Sequence, residues 1–283
     1  MDLPFSIDLN GKTAVVTGGG GVLCGLFAKA LAGCGANVAI LDLRLENAQK
    51  VAAEITKDGG NAKGYAANVL EKASLERVHE EVLKDFGACD ILINGAGGNH
   101  PKGTTSKEYF EIEDLDKDDL ITFFDLDQGG VEFVFNLNFI GTLLPSQVFV
   151  RDMLDKQDAT IINISSMNAF CPLTKIPAYS AAKSAVSNLT QWMAVHFANQ
   201  SIRVNAIAPG FFITNQNKTL LFDEEGMPTL RAGKILTSTP MSRFGEPEEL
   251  LGTLRWLIDE TASGFVTGTV IPVDGGFSAY SGV

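Results

Sequence analysis

Histidine is scarce in this chain, with three in 283 residues. His79, His100 and His196 lie far apart with no ligand spacing between them, so no bound metal is expected. The four cysteines, Cys24, Cys34, Cys89 and Cys171, form no CxxC pair. They read as reduced, mostly buried thiols rather than a disulfide framework or a redox pair. No continuous apolar run reaches the roughly 20 residues of a membrane span. The opening MDLPFSIDLNGK has neither the basic start nor the apolar stretch of a signal peptide. A cytoplasmic protein with no membrane partner is therefore expected. Basic clusters are missing too. At a net charge of -12 the chain repels a phosphate backbone at long range, so nucleic acid is not an expected partner.

What is present is a regular alternation. Short β-rich apolar runs stand at 13–17 (TAVVT), 37–42 (NVAILD), 91–94 (ILIN), 160–165 (TIINIS) and 203–207 (RVNAI), with a last one near 270–273. They are too continuously apolar to be half-exposed hairpin strands. Amphipathic stretches fall between them, at about 26–34, 45–57, 74–86, 139–156, 179–198 and 247–259. The pattern predicts an α/β fold: one Rossmann-type, doubly wound parallel sheet with helices on both faces, in a single domain spanning 1–283. With 45% hydrophobic residues, that length can bury its own core. Two segments exceed ordinary connections, 98–132 and 211–239. Both leave the carboxyl ends of strands, where such sheets bind ligands, and are expected to wall and cover a substrate pocket.

The first strand runs directly into Thr17-Gly18-Gly19-Gly20-Gly21 and then a helix. Glycines there let the backbone approach a diphosphate and present its N–H groups at a helix N-terminus. Asp42 ends the second strand, where its carboxylate can accept hydrogen bonds from an adenosine ribose and repel a 2′-phosphate. NAD is favoured over NADP, although Arg44 lies two positions on and could turn towards a phosphate.

Tyr179 and Lys183 are four residues apart on an expected helix and share a face. A free phenol is about one part in a thousand ionised at neutral pH, and a neighbouring ammonium favours the phenolate. Ser166, at the end of a strand 13 residues earlier, can hydrogen-bond a reacting carbonyl or alcohol oxygen. Asn138 reads as opening a helix after another strand and could hold a water or a carbonyl near the lysine.

With these residues in place the chain resembles the short-chain dehydrogenase/reductase family over nearly its whole length. The motifs fall in the family's order: Thr17-Gly18, Asn94-Gly95-Ala96-Gly97, Asn138, Ser166, Tyr179-Ser180-Ala181-Ala182-Lys183 and Pro209-Gly210, with Val273-Asp274-Gly275-Gly276 near the end. The resemblance implies that Tyr179 exchanges the substrate hydroxyl proton, Ser166 orients the oxygen, Lys183 holds the nicotinamide ribose and Asn138 completes a proton relay. It implies further that NAD is held by Gly18, Gly20, Gly21, Val22, Leu23, Asp42, Asn68, Val69, Asn94, Gly95 and Ala96. Tyr179, Lys183, Pro209, Gly210, Phe212 and Thr214 complete that set. A homotetramer is also implied, with Trp192 and Phe197 serving either an interface or the core.

Three departures stand out. Val22 and Cys24 occupy positions where the family usually has glycine; Gly95 replaces the second Asn of NNAG; Asn68 stands where an Asp usually contacts adenine. Within the family the resemblance is closest to D-mannonate oxidoreductase or fructuronate reductase-like members, through GGGGVLC, the stretch at 99–105 and the last seven residues. That implies a sugar-acid substrate. His100, Lys102, Ser166, Asn168 and Asn217 are the expected substrate contacts, with Lys102 as a carboxylate partner. Another polyol or keto-sugar acid such as 5-keto-gluconate stays open, as does a silent dinucleotide-binding regulator.

Overall fold

The computed structural model describes residues 6–154, 156–214 and 221–282. Seven parallel strands form one sheet in the order β3-β2-β1-β4-β5-β6-β7. They are β1 Thr13–Thr17, β2 Asn37–Asp42, β3 Asn61–Ala66, β4 Ile91–Asn94, β5 Thr160–Ile164, β6 Arg203–Pro209 and β7 Val270–Val273. The order reverses between β1 and β4, where Thr17 pairs with Asn94. Two chain excursions therefore leave side by side at that edge, which opens a crevice at the carboxyl ends.

The interior strands are buried on both faces, and their residues split by parity. Ala14, Val16, Ile40, Ile91 and Ile93 pack under α1 (Val22–Gly33), α2 (Leu45–Lys57) and the helix at Leu251–Ile258. Val15, Leu41, Leu92 and Ile161 face α3 (Lys72–Asp85), the helix at Gly141–Phe149 and the long helix at Pro177–His196. Helices thus cover both faces, as expected.

β3 was not legible as a strand from composition. Its residues, NAKGYA, have little β-propensity, and as an edge strand it is half exposed. Gly64 is there for packing: a Cβ would lie 2.6 Å from the Ala48 backbone of α2.

The largest difference concerns the helix expected at 139–156. Helical structure begins earlier, as α4 (Gln128–Phe135), passes through a π-helical turn at Asn136–Ile140, and continues as α5 (Gly141–Phe149). Asp127 caps it, its Oδ1 accepting the Gly130 N–H at 2.8 Å. Gly129 and Gly130 conceal this start, because glycine carries the lowest helix propensity after proline. Asn138 therefore lies within a helix and does not open one. The run from Gln128 to Met153 is long and apolar enough by composition to cross a membrane, and half of its most apolar window is buried in the protein. Interspersed Asn, Gly and Thr keep it from reading as one apolar stretch in the sequence.

The segment after β4 carries three short 3-10 turns rather than an open loop, at Pro101–Gly103, Ile112–Asp116 and Phe123–Asp125. Asp114 is buried at its centre and held at a pKa of about 2, first by the Lys107 hydrogen bond and also by Lys117. In the excursion after β6, α7 (Leu230–Ser238) is formed; Asn217 lies outside the described residues. The helix at Pro177–His196, here α6, exposes Trp192 while Phe197 just beyond it packs on the core.

Candidate active site

A cleft of about 460 Å³ opens at the point where the strand order reverses. One wall is the glycine turn. Gly18 adopts φ +62°, and a Cβ there would sit 2.9 Å from the Ala96 backbone. A Cβ on Gly20 would meet the Asn47 Cβ at 2.5 Å and the Asp42 carboxylate at 2.8 Å. Gly21 is the N-cap of α1, and Gly25 N–H makes the first helical bond to its carbonyl. The N–H groups of Val22, Leu23 and Cys24 precede that bond and point out of the helix start, where an anion is favoured. The cradle fits a dinucleotide diphosphate.

Asp42 is fixed at the far end. Its Oδ2 accepts the Gly20 N–H at 3.1 Å and its Oδ1 the Arg44 N–H at 3.0 Å. A carboxylate anchored by two backbone donors suits a ribose diol and opposes a phosphate at that position.

The opposite wall follows β4. Thr17 ties the two turns together: its hydroxyl accepts the N–H groups of Gly95 and Ala96 at 3.1 and 3.3 Å. Gly95, Ala96, Gly210, Phe212 and Thr214 border the cleft with the residues of the glycine turn and Tyr179. Asn68, Val69, Asn94, Lys183 and Pro209 are not among the residues that border it. Asn68 instead folds into a local turn ahead of α3, its Nδ2 donating to Glu71 Oε1 at 2.8 Å and its Oδ1 accepting the Leu70 N–H at 3.1 Å. Val69 is buried against Gly141. Asn94 is buried beneath the sheet edge on Ser146 and Asn163, both at 2.9 Å. Pro209 is buried at the end of β6. Cys24 and Gly97, marked by the motifs, and Phe211, between Gly210 and Phe212, also line the cleft, as do Asn47 and Ile164, which were not anticipated. Nothing in a linear reading marks Asn47 or Ile164, which arrive from α2 and the end of β5.

Two of the departures prove to be a single fit. A Cβ on Gly95 would lie 2.1 Å from Cys24 Sγ. The cysteine fills the space that a side chain at 95 would take, so the two positions have exchanged bulk across the β1–β4 crevice. Gly95→Ala is expected to lose about 2 kcal/mol of stability by overpacking. In a Cys24→Gly background most of that loss should vanish. Urea unfolding of the four proteins of the cycle measures the coupling.

At the cleft's inner end, Tyr179 and Lys183 sit one turn apart on α6. Tyr179 lines the cleft. Burial pushes its phenol upward, and a hydrogen bond with the Ser166 side chain works in the opposite direction. Ser166 lies two residues beyond β5 and is the N-cap of the turn at Met167–Ala169, its Oγ accepting the Asn168 N–H at 3.3 Å. Ser165 points the other way and bonds Ser187 on α6 at 2.7 Å, which moors the helix to the strand.

Lys183 is buried behind the tyrosine, with Nζ 5.7 Å from its ring centroid and 2.7 Å from the Ile164 carbonyl. No carboxylate faces it among the described residues, and desolvation brings its pKa down to about 8. The Asn138 amide is fully engaged. Its Nδ2 donates to Gly98 O at 2.7 Å and Val134 O at 2.8 Å, while Oδ1 accepts the Gly98 N–H at 3.3 Å. It clamps the chain leaving β4 against the π-turn. Lys183 and Asn138 flank Gly97 closely enough that a Cβ there would meet Oδ1 at 2.7 Å and Nζ at 3.1 Å.

The expected substrate contacts separate into two groups. Asn168 is buried beside Ser166, and its Oδ1 has no hydrogen-bond partner among the described residues. A buried acceptor left open at this place suits a substrate hydroxyl. His100 packs its ring on Phe133 at 5.2 Å and accepts the Lys102 N–H, and Lys102 is exposed beside Gly130.

Comparisons with known proteins place the chain in a family. The short chain dehydrogenase family model matches residues 12–225. An uncharacterized oxidoreductase of Haemophilus influenzae is 62% identical over 285 residues, covering 100% of this chain and 99% of its own. A solved Haemophilus structure with bound NAD, described as a candidate D-mannonate oxidoreductase, superposes with a TM-score of 0.94 at 63% identity, covering 98% of each chain. The 5-keto-D-gluconate 5-reductase of Escherichia coli K12 is 32% identical, covering 95% of this chain and 96% of its own. With the family model matched over most of its length, this chain is a member of the short-chain dehydrogenase family of oxidoreductases.

Proposed function

We propose that this oxidoreductase uses NAD(H) to interconvert a secondary alcohol and a ketone on a sugar acid, D-mannonate and D-fructuronate in particular. The observation that carries the chemistry is the Tyr179 phenol in the cleft wall, bonded to Ser166 and backed by the buried Lys183. The anchored Asp42 supports NAD over NADP. The sugar acid is supported by the likeness to a candidate mannonate oxidoreductase with NAD bound and to a keto-gluconate reductase.

In this reading Gly18, Gly20 and the N–H groups of Val22 and Leu23 hold the diphosphate. Asp42 holds the adenosine ribose, Lys183 the nicotinamide ribose, and Gly210 to Thr214 the carboxamide end. When bound, the nicotinamide supplies or accepts the hydride. The protein's own part is to place the substrate oxygen and move its proton. Ser166 donates a hydrogen bond to that oxygen, and Tyr179 gives up its phenolic proton in reduction or receives one in oxidation. Asn168 takes a neighbouring hydroxyl. Asn138 acts as a positioning residue, since its amide holds Gly97 and Gly98 where the lysine needs them. The enzyme works in the cytoplasm as a homotetramer, with the exposed Trp192 face of α6 at a subunit contact.

The test is oxidation of NADH, and separately NADPH, followed by absorbance with D-fructuronate, 5-keto-D-gluconate, fructose and no substrate. Turnover with D-fructuronate and NADH above all other pairs is the expected result. Preference for 5-keto-D-gluconate would move the substrate assignment, and preference for NADPH would remove the role given to Asp42.

A further inference from the structure

Beyond Phe211, which also borders the cofactor cleft, lies a second cavity of about 230 Å³. Its floor is the loop that joins the proposed catalytic serine to the proposed catalytic tyrosine. Cys171 opens that loop, its N–H bonded to Met167 O at 3.0 Å, and Lys175 closes it two residues before α6 begins. The opposite side is α7, which contributes Arg231 and Lys234.

Three cations thus face a cavity beside the reacting groups, in a chain whose net charge is -12. One carboxylate reaches in. Glu108, from the segment after β4, accepts a hydrogen bond from Lys234 at 2.7 Å. Its carboxyl is held below the usual range, first by that bond and then by the charges of Lys234, Lys175 and Arg231. A carboxylate at this spot therefore feels all three cations. Lys175 and Arg231 have no ion-pair partner of their own among the described residues.

We propose that Lys175 and Arg231, assisted by Lys234, form the subsite that takes the carboxylate of the substrate, with Glu108 as an internal carboxylate standing partly in its place. The assignment rests on the sugar-acid reading above and gives it a location. It also moves the carboxylate away from Lys102, which is exposed beside Gly130 and does not border this cavity. In a 5-keto-hexonate the carbonyl lies four carbons from the carboxylate, so the acid end falls in a neighbouring subsite while the carbonyl stays at Tyr179. A guanidinium and an ammonium suit that end, since charge-assisted hydrogen bonds to carboxylates are the strong ones.

Calorimetric titration of the NADH-bound protein with D-mannonate, D-gluconate and uncharged D-fructose tests it. The wild type should bind both acids. Arg231→Ala and Lys175→Ala should each weaken acid binding by about 10- to 100-fold, the value of one charged hydrogen bond. Arg231→Lys should restore part of it. Glu108→Gln should tighten it several-fold, because the competing carboxylate is gone. NADH affinity, titrated by fluorescence in the same variants, reports that the fold and the cofactor site are intact. Acid binding unchanged in Arg231→Ala and Lys175→Ala but lost in Lys102→Ala would overturn the subsite and leave the sugar-acid reading standing. A wild type that binds fructose and neither acid would overturn both.

Discussion

Tyr179→Phe is expected to cut turnover by about 10²- to 10⁴-fold, the usual contribution of one positioned acid/base. The cleft should survive, because the ring stays and only the hydroxyl leaves. Stopped-flow measurement of a single turnover separates a lost chemical step from slow product release. The pH dependence carries the sign. Oxidation of the alcohol needs the phenolate, so its rate should rise with pH; reduction of the ketone needs the phenol, so its rate should fall. Burial raises the Tyr179 phenol and the Ser166 bond lowers it. Ser166→Ala removes the lowering partner, so both limbs should move to higher pH. Limbs that stay in place in Ser166→Ala, or a Tyr179→Phe enzyme with wild-type rates, would transfer the proton step to another group.

Lys183→Met should abolish most activity and at the same time make the ligand-free protein more stable. A buried ammonium without a carboxylate is a liability to the fold. Its pKa falls from 10.5 to about 8 by desolvation, so the charged form is disfavoured in the folded state. Below pH 8 the lysine is charged in both states, and the folded state carries the whole desolvation penalty. Between about 8 and 10.5 the folded chain releases its proton first. The unfolded chain then binds more protons, and stability rises with pH through that window. The ceiling on this penalty at neutral pH is about 3 kcal/mol. Methionine recovers it but orphans the Ile164 carbonyl, which costs about 1–2 kcal/mol. A net gain of about 1–2 kcal/mol at pH 7, shrinking towards pH 10.5, is the expected outcome in urea unfolding at several pH values. A methionine variant less stable than wild type at pH 7 would show that Lys183 supports the fold as well as the chemistry.

β1, β4, β5 and β6 were legible because a strand buried on both faces must be continuously apolar, and only a parallel sheet under two helical layers buries strands that way. Tyr179 and Lys183 were legible as a pair because helical period places i and i+4 together. β3 was not, since an edge strand needs little apolar surface and Gly64 is dictated by α2, about 15 residues away in sequence and in contact in space. The start of α4 was hidden by two glycines, although Asp127 was a capping signal that could have been weighed.

Sequence alone determined the fold class, the glycine turn followed by Asp42, and the order of Asn138, Ser166, Tyr179 and Lys183. Each of these rests on local period or short spacing, which a linear reading preserves. Tertiary structure alone decided that Cys24 fills the space over Gly95, and that Lys175 and the α7 pair Arg231 and Lys234 gather around Glu108. Those groups come from segments tens of residues apart, and no periodic signal links them. Only packing of the helices onto the twisted sheet brings their side chains within reach of one another.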